Sequence, residues 1–484
     1  MIPVLLIAIP LITGFAAFFI NHSKGAKIWS LLSSVITLGI AVAAAFALNS
    51  KGQLTYDTSW LPALGARFSL AMDGMSKMLC LLTAVSLPLV FGAIYKNEYS
   101  KPGSFYALML LMQAGLMGVF LASDVLLFYF FWELALIPAY FLCSKWGGEK
   151  RIQVTFKFFV YTFVGSLLML IGILYIHFKT PDTSFSLQAF YHVKLTSPQQ
   201  YFVFWLFFIA FAIKMPIFPF HTWQPDAYEQ APTAVTMILS GVMVKMGLYG
   251  VIRWILPIFP DAVAKFEQLI IILSVIGMLY ASFIAIRQDD IKRLIAYSSI
   301  AHIGLMCAAI FSNQVVGMEG VMIQMFNHGV NVIGLWIVAD AIEQQLGTRK
   351  FSELGGLAQR APGLAILLVV MILANIALPL TNAFVGEFLM FNGLFRYNIW
   401  MAAIAGISII LAAVYSLNMV QKIFYGRTMP ATEYAKDATG NVKLVLVVLV
   451  IIIFVLGVYP QPVITLTEDS VQTVLTKINL IKVQ

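Results

Sequence analysis

Four charged side chains stand alone inside long apolar runs. Glu133 is the only charge between Asp124 and Lys145, and Lys214 the only one between Lys194 and Asp226. Lys245 is alone between Glu229 and Arg253, and Glu387 between Arg360 and Arg396. His302 and His328 sit in the middle of two further apolar runs. Carboxylates, amines and imidazoles are the side chains that gain and lose protons. An ionisable group near the centre of a bilayer costs roughly 2.5–3.5 kcal/mol even on the lenient insertion scale. One such residue could be an accident of packing. Two carboxylates, two amines and two imidazoles on separate segments describe a path for protons or ions.

Plainer readings exist for each residue. A lone acid or histidine can hydrogen-bond a neighbouring helix, and a lysine can snorkel its amine to the membrane surface. Lys214 lies several residues inside its run, and Lys245 has apolar residues for more than two turns on both sides, so snorkelling fits neither. Taking an amine out of water disfavours its charged form, and a nearby carboxylate favours it. Movement of Glu133 relative to Lys214 would therefore load or unload the lysine. The histidines lack the spacing of a zinc or haem site; they can bridge proton donors and acceptors, or simply hydrogen-bond a helix neighbour.

The chain around these residues is 61% hydrophobic and 11% charged over 484 residues, with a mean hydropathy of +0.89. Soluble domains carry about 25% charged residues, so the apolar excess must face lipid or other helices. Cys80, Cys143 and Cys307 lie in apolar segments with no CxxC pair, which excludes a disulfide framework and a self-contained iron–sulfur site. No dinucleotide-binding or P-loop glycine motif is present. The net charge of +8 is what cytoplasmic loops of a membrane protein would supply. Met1 to Ile20 lacks a basic n-region and a clear cleavage site, and reads as a retained first helix.

A helix needs about 20 apolar residues to cross a bilayer, and roughly 14 segments meet that criterion. They fall at 2–20, 28–48, 73–95, 104–122, 125–144, 154–178, 200–220, 233–256, 266–286, 291–311, 318–342, 362–395, 398–425 and 442–459. The expected fold is an all-α polytopic membrane protein. Pro216 and Pro219 follow Lys214 in the seventh segment, and Pro379 interrupts the twelfth, so both helices should break. The breaks are an odd number of spans apart, so the chain crosses in opposite directions at the two places. Matching interruptions of this kind point to inverted repeats. The expected division is an N-terminal three-helix segment (1–103), a five-helix repeat (104–256), an inverted copy (257–426), and a last helix with a tail (427–484). Each break exposes backbone groups that lipid cannot satisfy, so it must line a wet cavity or pack in protein.

An even number of spans puts both termini on one side. Basic residues gather in the loops holding Lys24 and Lys27, Lys96 and Lys101, Lys145 to Arg151, Arg287 to Arg293, Arg349 to Arg360, and Arg427 to Lys436. The opposite loops hold Lys51, Arg67, Lys179, Lys194, Lys265 and Arg396, plus the tail lysines. The positive-inside rule then puts both termini in the periplasm of a bacterium, with the chain in the inner membrane.

The stretch Lys-Met-Pro-Ile-Phe-Pro-Phe-His-Thr-Trp-Gln-Pro-Asp-Ala-Tyr-Glu-Gln-Ala-Pro-Thr from Lys214, followed by Gly-Val-Met-Val-Lys-Met-Gly through Lys245, resembles the antiporter-like subunits of respiratory complex I. The resemblance extends to Met72-Asp73-Gly74-Met75-Ser76, Trp132-Glu133-Leu134, Gln324-Met325-Phe326-Asn327-His328 and Gly386-Glu387-Phe388, and covers nearly the whole chain. Within that family, the L and N types and the multisubunit sodium/proton antiporter subunits usually carry lysine on the twelfth helix. Glu387 is similar to a third type. An L type would add a long lateral helix at the C-terminus, which is not expected after Gln461.

The resemblance implies roles. Glu133 and Lys214 would form a switching ion pair. Lys245 would be the central proton carrier, linked through water, His302 and His328 to Glu387. Asp73 and the loop around His221 and Asp226, with Pro216, Pro219 and Pro379, would be structural or gating positions. Gln224 and Tyr228 depart from the Leu and His of the family pattern, which leaves the role of that loop open. The implied function is proton translocation in NADH–quinone oxidoreductase, without redox chemistry in this chain. Flavin, iron–sulfur clusters and quinone would belong to partner subunits, and the neighbours would be antiporter-like L and N subunits. A multisubunit cation/proton antiporter, or a ferredoxin- or hydrogenase-linked pump, is the alternative.

Overall fold

A computed structural model describes residues 1–47, 54–180 and 183–482, with side chains described up to residue 476. Lys51 and the side chains of the tail lysines Lys477 and Lys482 lie outside the described residues. The chain is built almost entirely of helices. Three lead helices, α1 (Ile2–Ala17), α2 (Ser23–Val42) and α3 (Gly74–Ala93), are followed by α4 (Pro102–Leu121), α5 (Val125–Trp146) and α6 (Arg151–His177). Next come α7 (Ser197–Lys214) and α8 (Thr233–Ile258), then α9 (Pro260–Ile286), α10 (Ile291–Phe311) and α11 (Val315–Leu346). The last helices are α12 (Pro362–Asn375), α13 (Asn382–Tyr397), α14 (Ile399–Phe424), α15 (Gly440–Val458) and α16 (Gln461–Lys482).

Helix starts follow local chemistry. Asp73, Asp124 and Asp290 are N-caps whose carboxylates accept the backbone N–H of Ser76, Leu127 and Arg293, at 2.9, 3.0 and 3.1 Å. Thr196 and Gln199 form a reciprocal capping box at α7.

Among the described residues, 11 helices are long and apolar enough to cross a membrane. The apolar α1 and α12 are shorter. The two proline-bearing segments break as expected. α7 ends at Lys214, residues 215–223 are irregular, and a short helix, Gln224–Gln230, precedes α8. α12 ends at Asn375, and α13 begins at Asn382. Neither segment supplies one continuous crossing helix.

Two features lie outside the sequence-based expectation. An antiparallel hairpin, β1 (Thr55–Leu61) and β2 (Ala66–Ala71), joins α2 to α3. Residues after Gln461, expected as a tail, form the 22-residue helix α16. Its apolar stripe, Val463, Val471, Val474 and Leu475, is buried at the hairpin end of the molecule. A methyl group at Gly74 would sit 2.0 Å from the Leu466 carbonyl, so α16 lies directly on the start of α3. The amphipathic period of 461–476 carries too few apolar residues for a crossing helix, which is why a search for apolar runs passes over it.

Burial separates core from periphery. Every residue in the apolar windows of α8 and α11 is buried, against 22% for α15 and 33% for α14. Large apolar side chains such as Ile36, Phe178, Ile366, Trp400 and Val458 are exposed, an apolar surface of the kind that lipid or other membrane helices cover.

Candidate functional site

The two helices whose apolar windows are wholly buried carry Lys245 and His328. α8 contains π turns at Leu239–Met243 and Val251–Ile255. In the first, the Val244 N–H reaches back five residues to the Leu239 carbonyl at 3.2 Å instead of bonding Ser240. Single π turns of this kind are frequent at functional sites. The Ser240 carbonyl accepts instead from Lys245 Nζ at 2.8 Å, and the same amine lies 2.8 Å from His328 Nδ1. Lys245 is wholly buried. A charged Lys245 fixes the tautomer: Nδ1 of His328 accepts and its proton sits on Nε2.

A second pair lies beside the first. His302 Nδ1, on α10, is 3.0 Å from Glu387 Oε1, on α13. His302 therefore carries a proton on Nδ1 when Glu387 is ionised, and its Nε2 is buried without a protein partner. The rings of His302 and His328 stand 5.6 Å apart, centroid to centroid, tilted by 58°. A cavity of about 20 Å³, lined by His302, Glu387, Ser408 and Tyr415, adjoins the second pair. A single water needs about 10–15 Å³. Four of the six ionisable residues are thus two hydrogen-bonded couples with their imidazoles facing across a short gap.

Glu133 and Lys214 form a separate group. Glu133 is half-buried on α5, with Oε1 unpartnered. Lys214 is 2% exposed, and its amine lies 5.3 Å over the ring of Trp132. Among the described residues no ion pair joins Glu133 to Lys214, and the ammonium lies over the ring of Trp132, the neighbour of Glu133 on α5. The two lysines nevertheless sit on touching backbones. A methyl at Gly247 would lie 2.7 Å from both the Met215 nitrogen and the Phe211 carbonyl, so α8 meets the end of α7 this closely only with glycine there.

The loop residues occupy the first break and its flank. Pro216, Pro219 and His221 lie within 215–223, where His221 packs on Phe218 and Tyr280. Asp226 pairs with Lys157 at 2.8 Å and Arg293 at 3.1 Å. Glu229, one turn on, pairs with Arg293 at 2.8 Å and Arg349 at 2.9 Å. These bonds tie the short helix Gln224–Gln230 to α6, α10 and the loop after α11. Gln224 and Tyr228 are fully buried one turn apart, with the amide atoms and the hydroxyl unpartnered. Asp73 caps α3 and pairs with Arg253 Nη2 at 2.5 Å. Burial would raise its carboxyl, but the Arg253 guanidinium and the Ser76 N–H hold it below the usual carboxylate range.

The second break carries backbone strain. Ala377 and Leu380, neither of them glycine, have φ of 55° and 73°. A methyl at Gly457 would sit 2.1 Å from the Leu380 carbonyl, so the end of α15 presses on the turn that holds Pro379. Polar groups that a search for lone charges passes over surround it. Asn375 donates to Ser298 at 3.2 Å, Ser298 and Tyr415 share a 3.0 Å bond, and Gln324, Asn327 and Asn331 donate to the broken segment. Their signal in the sequence is a polar stripe on α11 at helical spacing.

The region 122–412 matches the family model described as the membrane domain of NADH:quinone oxidoreductase/Mrp antiporter. A curated relative from Rickettsia typhi, named NADH-quinone oxidoreductase subunit M, is 37% identical over 97% of this chain and 98% of its own. A chain of respiratory complex I from Thermus thermophilus with bound NADH superposes with a TM-score of 0.89, covering 98% of this chain and 100% of that one at 28% identity. A chain of the Mrp complex from Dietzia sp. DQ12-45-1b shares the fold, with a TM-score of 0.87 at 18% identity and 99% coverage of both chains. The buried couples stand inside the matched region, and the chain belongs to the NADH:quinone oxidoreductase/Mrp antiporter family of membrane subunits.

Proposed function

We propose that this chain is a proton-translocating membrane-arm subunit of NADH–quinone oxidoreductase that carries out no redox chemistry itself. The observation that carries the reading is the pair of buried couples, Lys245–His328 and His302–Glu387, facing each other across two imidazoles. The steps follow from the tautomers. Protonated Lys245 gives a proton to His328 Nδ1, and the imidazolium releases its Nε2 proton toward His302. His302 accepts on its free Nε2 and passes its Nδ1 proton to Glu387 Oε1, which becomes neutral. The gap between the rings is of a size that one water or a small tilt bridges. Loss of the Glu387 proton, return of both imidazoles to their starting tautomers, and reprotonation of Lys245 from the side of Lys214 and Glu133 together reset the path.

The neighbours are taken to be antiporter-like L and N subunits, with flavin, iron–sulfur clusters and quinone in other partners. The two breaks support two inverted five-helix units, 104–256 and 257–426, and loop charges support an inner-membrane chain with both termini periplasmic. Moving one charge against 100 mV costs about 2.3 kcal/mol, which sets the work that electrostatic changes in the partners must supply. A cation/proton antiporter without redox drive is the second reading, favoured by the shared fold of the Mrp complex chain. Glu387, in place of a lysine, counts against it. The test is gentle purification of the tagged chain from membranes, followed by an assay of inhibitor-sensitive NADH:quinone activity. Co-purifying flavin and iron–sulfur subunits with that activity support the proposal. A preparation of membrane subunits alone, with sodium- or potassium-coupled proton exchange, overturns it.

A further inference from the structure

α11 is apolar over most of its buried length, yet Gln324, Asn327, His328 and Asn331 share one face at spacings of three, one and three residues. Each of the three amides donates to the interrupted segment. Gln324 Nε2 approaches Glu387 Oε1 at 3.5 Å, Asn327 Nδ2 bonds the Asn382 carbonyl at 2.7 Å, and Asn331 Nδ2 bonds the Ala374 carbonyl at 3.4 Å. Two partners are backbone carbonyls and the third is a carboxylate. Carbonyls and an ionised carboxylate only accept, so each amide must turn its nitrogen toward them and its oxygen elsewhere. All three oxygens, Gln324 Oε1, Asn327 Oδ1 and Asn331 Oδ1, are buried with no protein donor. Buried acceptors in native proteins are met by a hydrogen-bond donor, protein or water.

The spacing to the broken segment is also fixed. A methyl at Gly320 would lie 2.7 Å from the Met390 nitrogen, and one at Gly386 would lie 2.4 Å from Gln324 Oε1. α11 and α13 are therefore in contact at the level of Glu387.

We propose that Gln324, Asn327 and Asn331 are a row of positioning residues for proton transfer between the two couples. Their N–H groups lock the segment on both sides of its break: Asn331 holds the end of α12, while Asn327 and Gln324 hold the start of α13 and Glu387. This keeps the Glu387 carboxylate within reach of His302. Their oxygens, buried without a protein donor, give hydrogen-bonded water a row of acceptors on the face of α11 that carries His328. The row acts through His302, His328 and Glu387 and takes no proton itself. The inference rests on the proton-translocation reading above.

The test uses the assembled complex in proteoliposomes, with protons moved per electron, electron-transfer rate and complex content measured together. Asn327→Leu keeps a branched side chain of similar shape but removes the donor, and Asn327→Gln keeps the donor. Asn327→Leu, Asn327→Ala and Asn331→Ala are expected to slow transfer through this subunit about tenfold, the size of one lost hydrogen bond. Protons per electron fall accordingly, while Asn327→Gln recovers part of the loss. Should Asn327→Ala fail to assemble, Asn331→Ser withdraws one N–H with a smaller change in packing. Wild-type protons per electron in Asn327→Leu would overturn the proposal, as would variants that lower only complex content. Lys245→Ala separates the two readings. Pumping lost there but kept in the amide variants removes the row alone, whereas pumping kept in Lys245→Ala removes the function on which it rests.

Discussion

Replacing Lys245 by methionine tests the centre of the proposed path most directly. Methionine nearly fills the lysine volume, and it removes a buried charge whose desolvation costs several kcal/mol. It also leaves the Ser240 carbonyl and His328 Nδ1 without the amine that each now meets at 2.8 Å. Each orphaned group costs about 1–3 kcal/mol. The terms oppose each other, so folding should change by no more than about 2 kcal/mol and the complex should assemble. Proton transfer has no such compensation. His328 loses the donor in direct contact with it, and loss of a positioned proton donor slows a transfer by about 10²–10⁴-fold. Lys245→Arg sharpens the test, because guanidinium keeps the charge but does not release its proton in proteins. Both variants should assemble and lose translocation through this subunit, read as protons per electron in proteoliposomes with a pH-sensitive dye. Wild-type stoichiometry in Lys245→Arg would refute the idea that this amine is deprotonated during turnover, and in Lys245→Met it would remove the residue from the path altogether.

Three other outcomes follow from the geometry. Glu387→Gln preserves an acceptor for His302 Nδ1 at the 3.0 Å contact but cannot take the proton, so assembly should persist while protons per electron fall, and unchanged stoichiometry would exclude Glu387 as an acceptor. Asp73→Ala withdraws the cap of α3 and the partner of the mostly buried Arg253, a loss of about 1–3 kcal/mol after allowing for the partial exposure of Asp73. Since its carboxyl is held below the ordinary value, this contribution is complete above about pH 4 and fades as pH drops through the folded-state value. The thermal-stability gap between wild type and Asp73→Ala should stay constant from pH 5 to 8 and narrow only in stronger acid. Gly74→Ala would place a methyl 2.0 Å from the Leu466 carbonyl, forcing α16 off the start of α3, so proteolysis after Gln461 should become faster; unchanged cleavage would mean that α16 is not seated there.

The ionisable residues were legible because a membrane makes their cost visible: a lone charge in an apolar run of twenty residues has few structural explanations. The same economy exposed the breaks, since Pro216, Pro219 and Pro379 each withdraw a backbone donor where lipid supplies none. Helix α16 and the hairpin were not legible in that way. Their residues are mixed in polarity, and what holds them is the surface of α3 and its neighbours, not their own hydropathy. The amides of α11 lay in plain view at helical spacing, but a neutral amide carries no charge to single it out.

Residue type and spacing by themselves determined that the chain crosses a membrane many times, that two of its helices are interrupted, and which side chains can carry protons. Pairing was decided only by the tertiary structure. Lys245 bonds His328, 83 residues away, and His302 meets Glu387, while Lys214 rests on Trp132 instead of closing on Glu133. Hydropathy reports how deep a residue lies along its own helix, and that is a local property. Which buried groups touch depends on helix rotation and on approaches set by small residues such as Gly247 and Gly386. Those are properties of two surfaces at once, so no single segment encodes them.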